Sequence, residues 1–257
     1  MSTDARLQVA AANGESARVA GLLEAGGEAS FAIDDAAGAG HADIVGMLLE
    51  AGADPRRGLR SAVRGGHVEV VGMLLKAGVG GYYRSEGLER AAQDGRIEIV
   101  RTLIDAGTNP SSGLGPAAEN GHVEIVGMLL DAGADPSLAL DDAAGAGRAQ
   151  VVGMLLDAGA NPSRGLDEAS GAGHVEVVRM LLEAGGDPSR GLSSASIAGR
   201  IEIVEVLLRA GADPNDSRWT YRRRLSLTAL HGAALRGDLG VVRALVDAGT
   251  DVEARAR

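Results

Sequence analysis

Cysteine is absent from this 257-residue chain, so disulfide frameworks, thiolate metal sites and cysteine nucleophiles are all excluded. Aromatic side chains are nearly absent as well: Phe31, Tyr82, Tyr83, Trp219 and Tyr221 are the only five. A single globular core of this size normally draws on Phe and Tyr for filling, whereas a thin core made of many small layers has no need of them. Long hydrophobic runs are missing. The longest, such as "VVGMLL", are far too short to span a bilayer. The opening "MSTDARLQVAAANGES" lacks the basic start and apolar run of a secretory leader, so the expectation is a soluble, cytoplasmic protein with no membrane partner. Basic charge is not in excess either. With 35 Asp and Glu against 25 Lys and Arg, the net charge of −10 disfavours direct nucleic-acid binding through phosphate contacts.

What the chain has instead is 39 glycines, an aliphatic core alphabet and a repeat. "HADIVGMLLEAGADP" starts at His41, "HVEVVGMLLKAG" at His67 and "RIEIVRTLIDAGTNP" at Arg96. "HVEIVGMLLDAGADP" follows at His122, "RAQVVGMLLDAGANP" at Arg148, "HVEVVRMLLEAGGDP" at His174 and "RIEIVEVLLRAGADP" at Arg200. The spacings are 26, 29, 26, 26, 26 and 26 residues. A weaker copy, "ESARVAGLLEAGG", precedes the first by 26 residues, and "DLGVVRALVDAGTD" begins at Asp238, 38 after Arg200. Nine repeats leave no room for a separate domain.

Each repeat reads as two helices. Val68, Val71 and Leu75 recur at i, i+3 and i+7, with Val70 and Leu74 beside them, which predicts one amphipathic helix. Gly78 supplies a left-handed C-terminal cap, and in most repeats a Pro three residues later stops the helix. Upstream, "GLDEASGAGH" predicts a shorter helix from Leu166 to about Gly171. No single repeat can bury its apolar stripe alone, so neighbouring repeats provide the core. The expected fold is an all-α solenoid of nine stacked helix pairs.

These residues resemble the ankyrin repeat family. "GHVEIVGMLLDAGADP" is similar to the second half of an ankyrin repeat, and residues 228–252 are similar to nearly a whole one. Thr228, Leu230, His231 and Ala233 fall on the T-P-L-H-x-A signature, with Ala229 in place of the proline. Family repeats run about 33 residues, so the 26-residue repeats here lack about seven, between "GADP" and "GL". In the family that segment is the projecting β-turn finger, so six of the first seven complete junctions are expected to be fingerless. The resemblance divides the chain into an N-terminal capping repeat (1–29), short repeats (30–211), and an elongated finger with a near-complete C-terminal repeat (212–257).

Departures from the period mark candidate sites. The repeat between His67 and Arg96 carries three extra residues around "GVGGYYRSEG", and the junction before Asp238 carries twelve extra, including "SRWTYRRRLS". All five aromatics are therefore expected in loops and none in a helix. Exposed Trp, Tyr and Arg dominate binding hot spots, which makes Trp219, Tyr221, Arg218, Arg222, Arg223 and Arg224 a recognition finger, with Tyr82, Tyr83 and Arg84 a second contact. The bland reading folds Trp219 and Tyr221 over the edge of the last repeat, with the arginines solvated; Phe31 is expected to be a packing residue of the N-terminal end.

A second row follows the repeated Leu or Ile of the short helices: Asp34-Asp35, Arg60-Ser61, Glu89-Arg90, Gly115-Pro116, Asp141-Asp142, Asp167-Glu168 and Ser193-Ser194. In an ankyrin-like stack this row lines the concave side. Acidic residues at a helix N-terminus are favoured by the helix dipole, by about 0.3–1 kcal/mol each, and any single pair is explained that way. Asp141, Asp142, Asp167 and Glu168 come from adjacent layers about 8–10 Å apart and form one anionic patch suited to a basic segment. Asp34 and Asp35, four repeats away, do not join it. Gly46, Gly72, Gly127 and Gly153 sit mid-helix, where Gly costs about 1 kcal/mol relative to Ala. Arg101, Arg179, Glu205 and Arg243 fill the same position, so it is expected to face outward.

The inventory for chemistry is thin. His41, His67, His122 and His174 share one repeat position with Arg96, Arg148 and Arg200, and His231 belongs to "TALH", so all five histidines have a structural explanation. No metal site, cofactor or catalytic residue is expected. The sequence reading is a non-catalytic scaffold that binds a protein partner, one with a basic segment, through an acidic concave surface and an aromatic, Arg-rich loop. Two alternatives belong to other classes. One is an acidic solenoid that inhibits or protects by filling the nucleic-acid-binding cleft of a target enzyme, a reading that Arg60, Arg64 and Arg90 interrupt. The other is a small-molecule enzyme using concave carboxylates. Self-association stays open, because "GTDVEARAR" leaves the last apolar face for the finger or a second subunit to cover.

Overall fold

The computed structural model describes residues 1–216 and 228–253, and its contacts group into two compact units. Unit 1 is Met1–Ala117 with Gly127–Ala134, and unit 2 is Ala118–Val126 with Asp135–Arg257. The described residues form eighteen α-helices and no strand. In unit 1 they pair as α1 (Thr3–Ala12) with α2 (Ser16–Glu24), α3 (Ala29–Ala39) with α4 (Ala42–Glu50), α5 (Pro55–Gly65) with α6 (Val68–Lys76), and α7 (Gly81–Gln93) with α8 (Ile97–Asp105). The pair α9 (Ser111–Asn120) and α10 (Val123–Asp131) follows in sequence. Unit 2 continues with α11 (Leu140–Gly145) and α12 (Ala149–Asp157), then α13 (Leu166–Ala172) and α14 (Val175–Glu183). It ends with α15 (Ser189–Ala198) and α16 (Ile201–Arg209), then α17 (Ala229–Arg236) and α18 (Leu239–Asp247). Within each unit, first helices pack on first helices and second on second.

Glycine sets the helix lengths. Eighteen glycines have positive φ, from Gly14 (75°) to Gly249 (88°), and one follows each of the eighteen helices. This accounts for nearly half of the unusual glycine content, because a residue at that turn must adopt the left-handed conformation. After α4 the closure is complete: Gly52 N–H donates to Leu49 O at 3.0 Å and Ala53 N–H to Leu48 O at 2.9 Å. Ala53 is then buried under the turn it closes.

Every second helix has nine residues, and their buried positions repeat: Ile44, Val45 and Leu48 in α4, and Val177, Val178 and Leu181 in α14. Most first helices bury a Leu followed by small residues one turn on, such as Leu88, Ala91 and Ala92 in α7. Each fully buried Leu or Val contributes roughly 1.5–3 kcal/mol. Small residues let the layers approach closely: a Cβ added at Gly58 would stand 3.0 Å from Ala37 Cβ, and one at Gly165 would stand 2.8 Å from Ala144 Cβ. A core with this spacing has no place for a ring, and Phe31, Tyr82 and Tyr83 are all exposed.

The histidine position is a latch between layers. His67 Nε2 donates to Gly38 O at 3.0 Å, and His174 Nε2 to Gly145 O at 3.0 Å. Arg96 reaches Arg64 O at 3.3 Å and Arg148 reaches Glu119 O at 2.9 Å in the same way. His and Arg interchange there because both offer an N–H to the carbonyl at the end of the preceding first helix. At the fingerless junctions an Asp or Asn accepts the backbone N–H two residues on, as in Asp54 with Arg56 (3.0 Å) and Asn161 with Ser163 (3.0 Å). A Ser then bridges layers: Ser163 Oγ accepts from Asp187 N at 3.0 Å, and Ser189 Oγ from Asp213 N at 3.0 Å.

Three expectations are corrected. The buried stripe of α6 is Val70, Val71 and Leu74, while Val68, the first residue of the helix, is exposed. Proline starts helices as well as following them: Pro55 opens α5 and Pro136 opens a one-turn 3-10 helix ending at Leu138, since the first turn needs no N–H from it. Phe31 lies in α3, exposed under Arg57 instead of packed at the N-terminal end, and Tyr82 and Tyr83 lie in α7. The three extra residues before Leu88 are close to one helical turn, so they lengthen α7 to thirteen residues instead of forming a loop.

Candidate functional site

The acidic row of unit 2 forms an open recess of about 420 Å³ lined by Glu119, Asp141, Asp142, Gly145, Ala146 and Glu168. Gly145 and Ala146 leave it room, because neither carries a side chain long enough to fill it. Leu140 and Leu166 anchor α11 and α13 in the core, which sets the following acidic pairs on the exposed side. The carboxylates gather against their own repulsion. Burial raises the pKa of Asp142 above the ordinary aspartate value, and the charges of Glu119 and Asp141 add to that rise. Asp141 is raised by burial too, although Arg164 pulls it down through an ion pair at 3.4 Å. One Asp141 oxygen, Oδ1, is buried without a hydrogen-bond partner.

Three of the four expected acids, Asp141, Asp142 and Glu168, thus share one site. Asp167 lies close enough to repel Asp141, but it does not line the recess and accepts a hydrogen bond from Ser194 Oγ. Glu119 was not in the row read from the sequence. Its signal was the repeat register, which sets it level with Gly145 and hence one helical turn from Asp142.

Unit 1 carries a different surface. The Tyr82 and Tyr83 rings meet edge to face, with centroids 5.4 Å apart and planes at 85°. The Arg56 guanidinium lies 5.8 Å over Tyr83, and the Arg57 guanidinium 5.3 Å over Phe31. A row from Phe31 through Arg57 and Arg56 to Tyr83 and Tyr82 therefore crosses the starts of α3, α5 and α7. Arg60 pairs with Glu86 beside it. Phe31, Arg56 and Arg57 were not among the contact residues read from the sequence, although Phe31, Arg57 and Tyr83 stand 26 residues apart, which is the repeat period itself. Arg84 turns inward: its Nη1 donates to Ala106 O at 2.6 Å and ties α7 to the end of α8. Asp34, in the same unit, accepts from Ser61 Oγ at 2.6 Å. Arg218, Trp219, Tyr221, Arg222, Arg223 and Arg224 lie outside the described residues.

Among the described residues no helix is long and apolar enough to cross a membrane. None of their His, Asp or Glu side chains form a group of three able to hold a metal ion.

A family model for ankyrin repeats (three copies) matches residues 88–165 and again 166–256. Comparison with curated proteins gives no match. Among solved structures, the human ASB11 ankyrin repeat domain is similar, with a TM-score of 0.54 at 28% identity. The match covers 65% of this chain and 86% of that domain. Paired helices, a glycine after each, and two family matches that together cover well over half of the sequence lead to one conclusion: the chain belongs to the ankyrin repeat family.

Proposed function

We propose that this protein is a non-catalytic scaffold whose unit 2 recess binds a basic segment of a partner protein. Ankyrin repeats are in general protein–protein interaction modules. The observation that carries the finer reading is the clustering of Glu119, Asp141, Asp142 and Glu168 in one recess, with Asp142 held above its ordinary pKa by burial and by like charge. Burial and mutual repulsion oppose that arrangement, and lysine or arginine side chains entering the recess would relieve the repulsion. A rigid stack of layers also limits the ordering cost of binding.

The test is fluorescence anisotropy with a fluorescein-labelled peptide of alternating Lys and Ala. The Asp142→Asn/Glu168→Gln variant is expected to weaken binding about tenfold, and Asp34→Asn/Asp35→Asn, which removes equal charge from unit 1, by much less. Equal loss in the two variants would reduce the effect to overall charge and defeat the proposal.

The stretch from Arg218 to Arg224 is the second contact in this reading. Trp219→Ala/Tyr221→Ala should lose a partner captured by the intact protein while keeping the same thermal melt. A lowered melt with the partner retained would make the stretch a cap. The nucleic-acid-cleft alternative needs a continuous acidic ribbon, which the ion pairs Arg60–Glu86 and Arg90–Asp94 interrupt in unit 1.

A further inference from the structure

We propose that unit 1 carries a second docking surface, the row of Phe31, Arg57, Arg56, Tyr83 and Tyr82, and that its occupant is an extended acidic, proline-rich segment of a partner protein. The inference rests on the scaffold reading but not on the unit 2 recess, which has the opposite charge preference.

Four observations point to that occupant. The rings are exposed, with Phe31 at 42%, Tyr82 at 76% and Tyr83 at 38%. Two guanidiniums lie over them, and a guanidinium held over a ring has five N–H donors of which others remain for a ligand. Arg56 spends those donors on Asp54, at 2.6 to 2.9 Å, and Arg60 spends its own on Glu86. Among the described residues Arg57 makes no ion pair, and Asp54, whose pKa its charge helps to lower, is already held by Arg56. Three guanidiniums against two carboxylates leave one cation whose edge is free. Finally, the start of α7 has no side-chain cap, and Gly80, Gly81 and Tyr82 are exposed, so its first backbone N–H groups offer further donors beside the rings.

Spacing decides the shape of the ligand. Packed helices stand about 8–10 Å apart, and a polyproline II segment advances about 9 Å in each three-residue turn. An acidic residue at every third position therefore presents one carboxylate per layer, with prolines between to lie on Phe31, Tyr82 and Tyr83. Aromatic-lined surfaces favour such segments because little order remains to be imposed on them.

The experiment compares three fluorescein-labelled peptides, (Glu-Pro-Pro)4, (Gln-Pro-Pro)4 and (Lys-Pro-Pro)4, for binding to the full chain by anisotropy. The chain's net charge of −10 opposes the first peptide in general, so preference for it over the glutamine peptide reports the local row. Expected are tighter binding of the glutamate peptide, a loss of about tenfold in Arg57→Gln, as for a lost charge-assisted hydrogen bond, and a similar loss in Tyr82→Ala. Asp142→Asn/Glu168→Gln should leave that binding intact while weakening the lysine peptide. Equal binding of the glutamate and glutamine peptides overturns the inference, and so does undiminished binding by Arg57→Gln. Arg57 and Tyr82 are exposed, and a circular-dichroism melt of each variant confirms that it is folded. A failure of the lysine peptide alone counts against the recess and not against this row.

Discussion

The starts of the first helices differ in chemistry between the two units, on a framework that does not. In unit 1, α3, α5 and α7 present rings and guanidiniums before the buried Ile or Leu; in unit 2, α11 and α13 present carboxylates just after it. Beneath both rows the same parts recur: a buried Leu (Leu59 or Leu166), a glycine pressed on the neighbouring layer (Gly58 or Gly165), and a histidine latched 3.0 Å from a carbonyl (His67 or His174). The comparison teaches where this fold is constrained. Stacking fixes the positions that touch the next layer and leaves those just before and just after the buried residue free to carry charge of either sign.

The largest expected effect tests whether the framework really is shared. Leu74→Ala and Leu181→Ala each empty a fully buried site, and each should cost about 2–5 kcal/mol in urea denaturation. Similar costs sharpen the comparison, and a cost confined to one leucine breaks it. Next come the close-packed glycines. Alanine at Gly165 puts a methyl 2.8 Å from Ala144 Cβ and 3.2 Å from Leu181 Cδ1, and overpacking of this kind costs about 1–3 kcal/mol. Gly58→Ala should cost less, because its nearest contact is 3.0 Å and alanine is the better helix former. Removing a latch, in His67→Ala or His174→Ala, should cost about 1 kcal/mol.

The smallest effect has the opposite sign. A Cβ at Gly72 meets nothing within 4 Å, so Gly72→Ala should stabilise by up to about 1 kcal/mol, read as a higher denaturation midpoint. Gly46 and Gly153 are comparable, with only the mobile tips of Met73 (3.4 Å) and Met180 (3.6 Å) nearby. Each of these glycines is half-buried, and the equivalent Arg101, Arg179, Glu205 and Arg243 are exposed, so the position faces outward as expected.

The paired-helix architecture was legible in the sequence because stacking forces every layer to solve the same problem. The repeats of Val70-Val71, Leu74 and Gly78 state that solution almost letter by letter. What escaped lies in contacts between layers and in the one repeat of different length. Tyr82 and Tyr83 looked like loop residues because three added residues read as an insertion, although they suffice for a helical turn. Phe31 and Arg57 occupy the same register on adjacent layers, yet they are 26 residues apart in the chain and their contact is invisible to local pattern. Glu119 escaped because the acidic row was read at two adjacent positions per helix, whereas the recess spans a full turn.

The central claim is that the framework carries charge that folding does not favour. It is tested most directly by Asp142→Asn followed with two readouts. Asp142 stands in the first turn of α11, where the helix dipole favours a carboxylate, yet burial, Glu119 and Asp141 raise its pKa, so the costs prevail. With the folded value above the unfolded one, the native state holds the proton to higher pH. Any stability linked to Asp142 is therefore fully present below the unfolded pKa and lost as pH rises through the folded one. The account predicts that Asp142→Asn melts higher than the parent protein at pH 7, that the gain vanishes near pH 3, and that the variant binds the Lys-Ala peptide more weakly. A lower melt at pH 7, or a higher one with peptide binding unchanged, would contradict it.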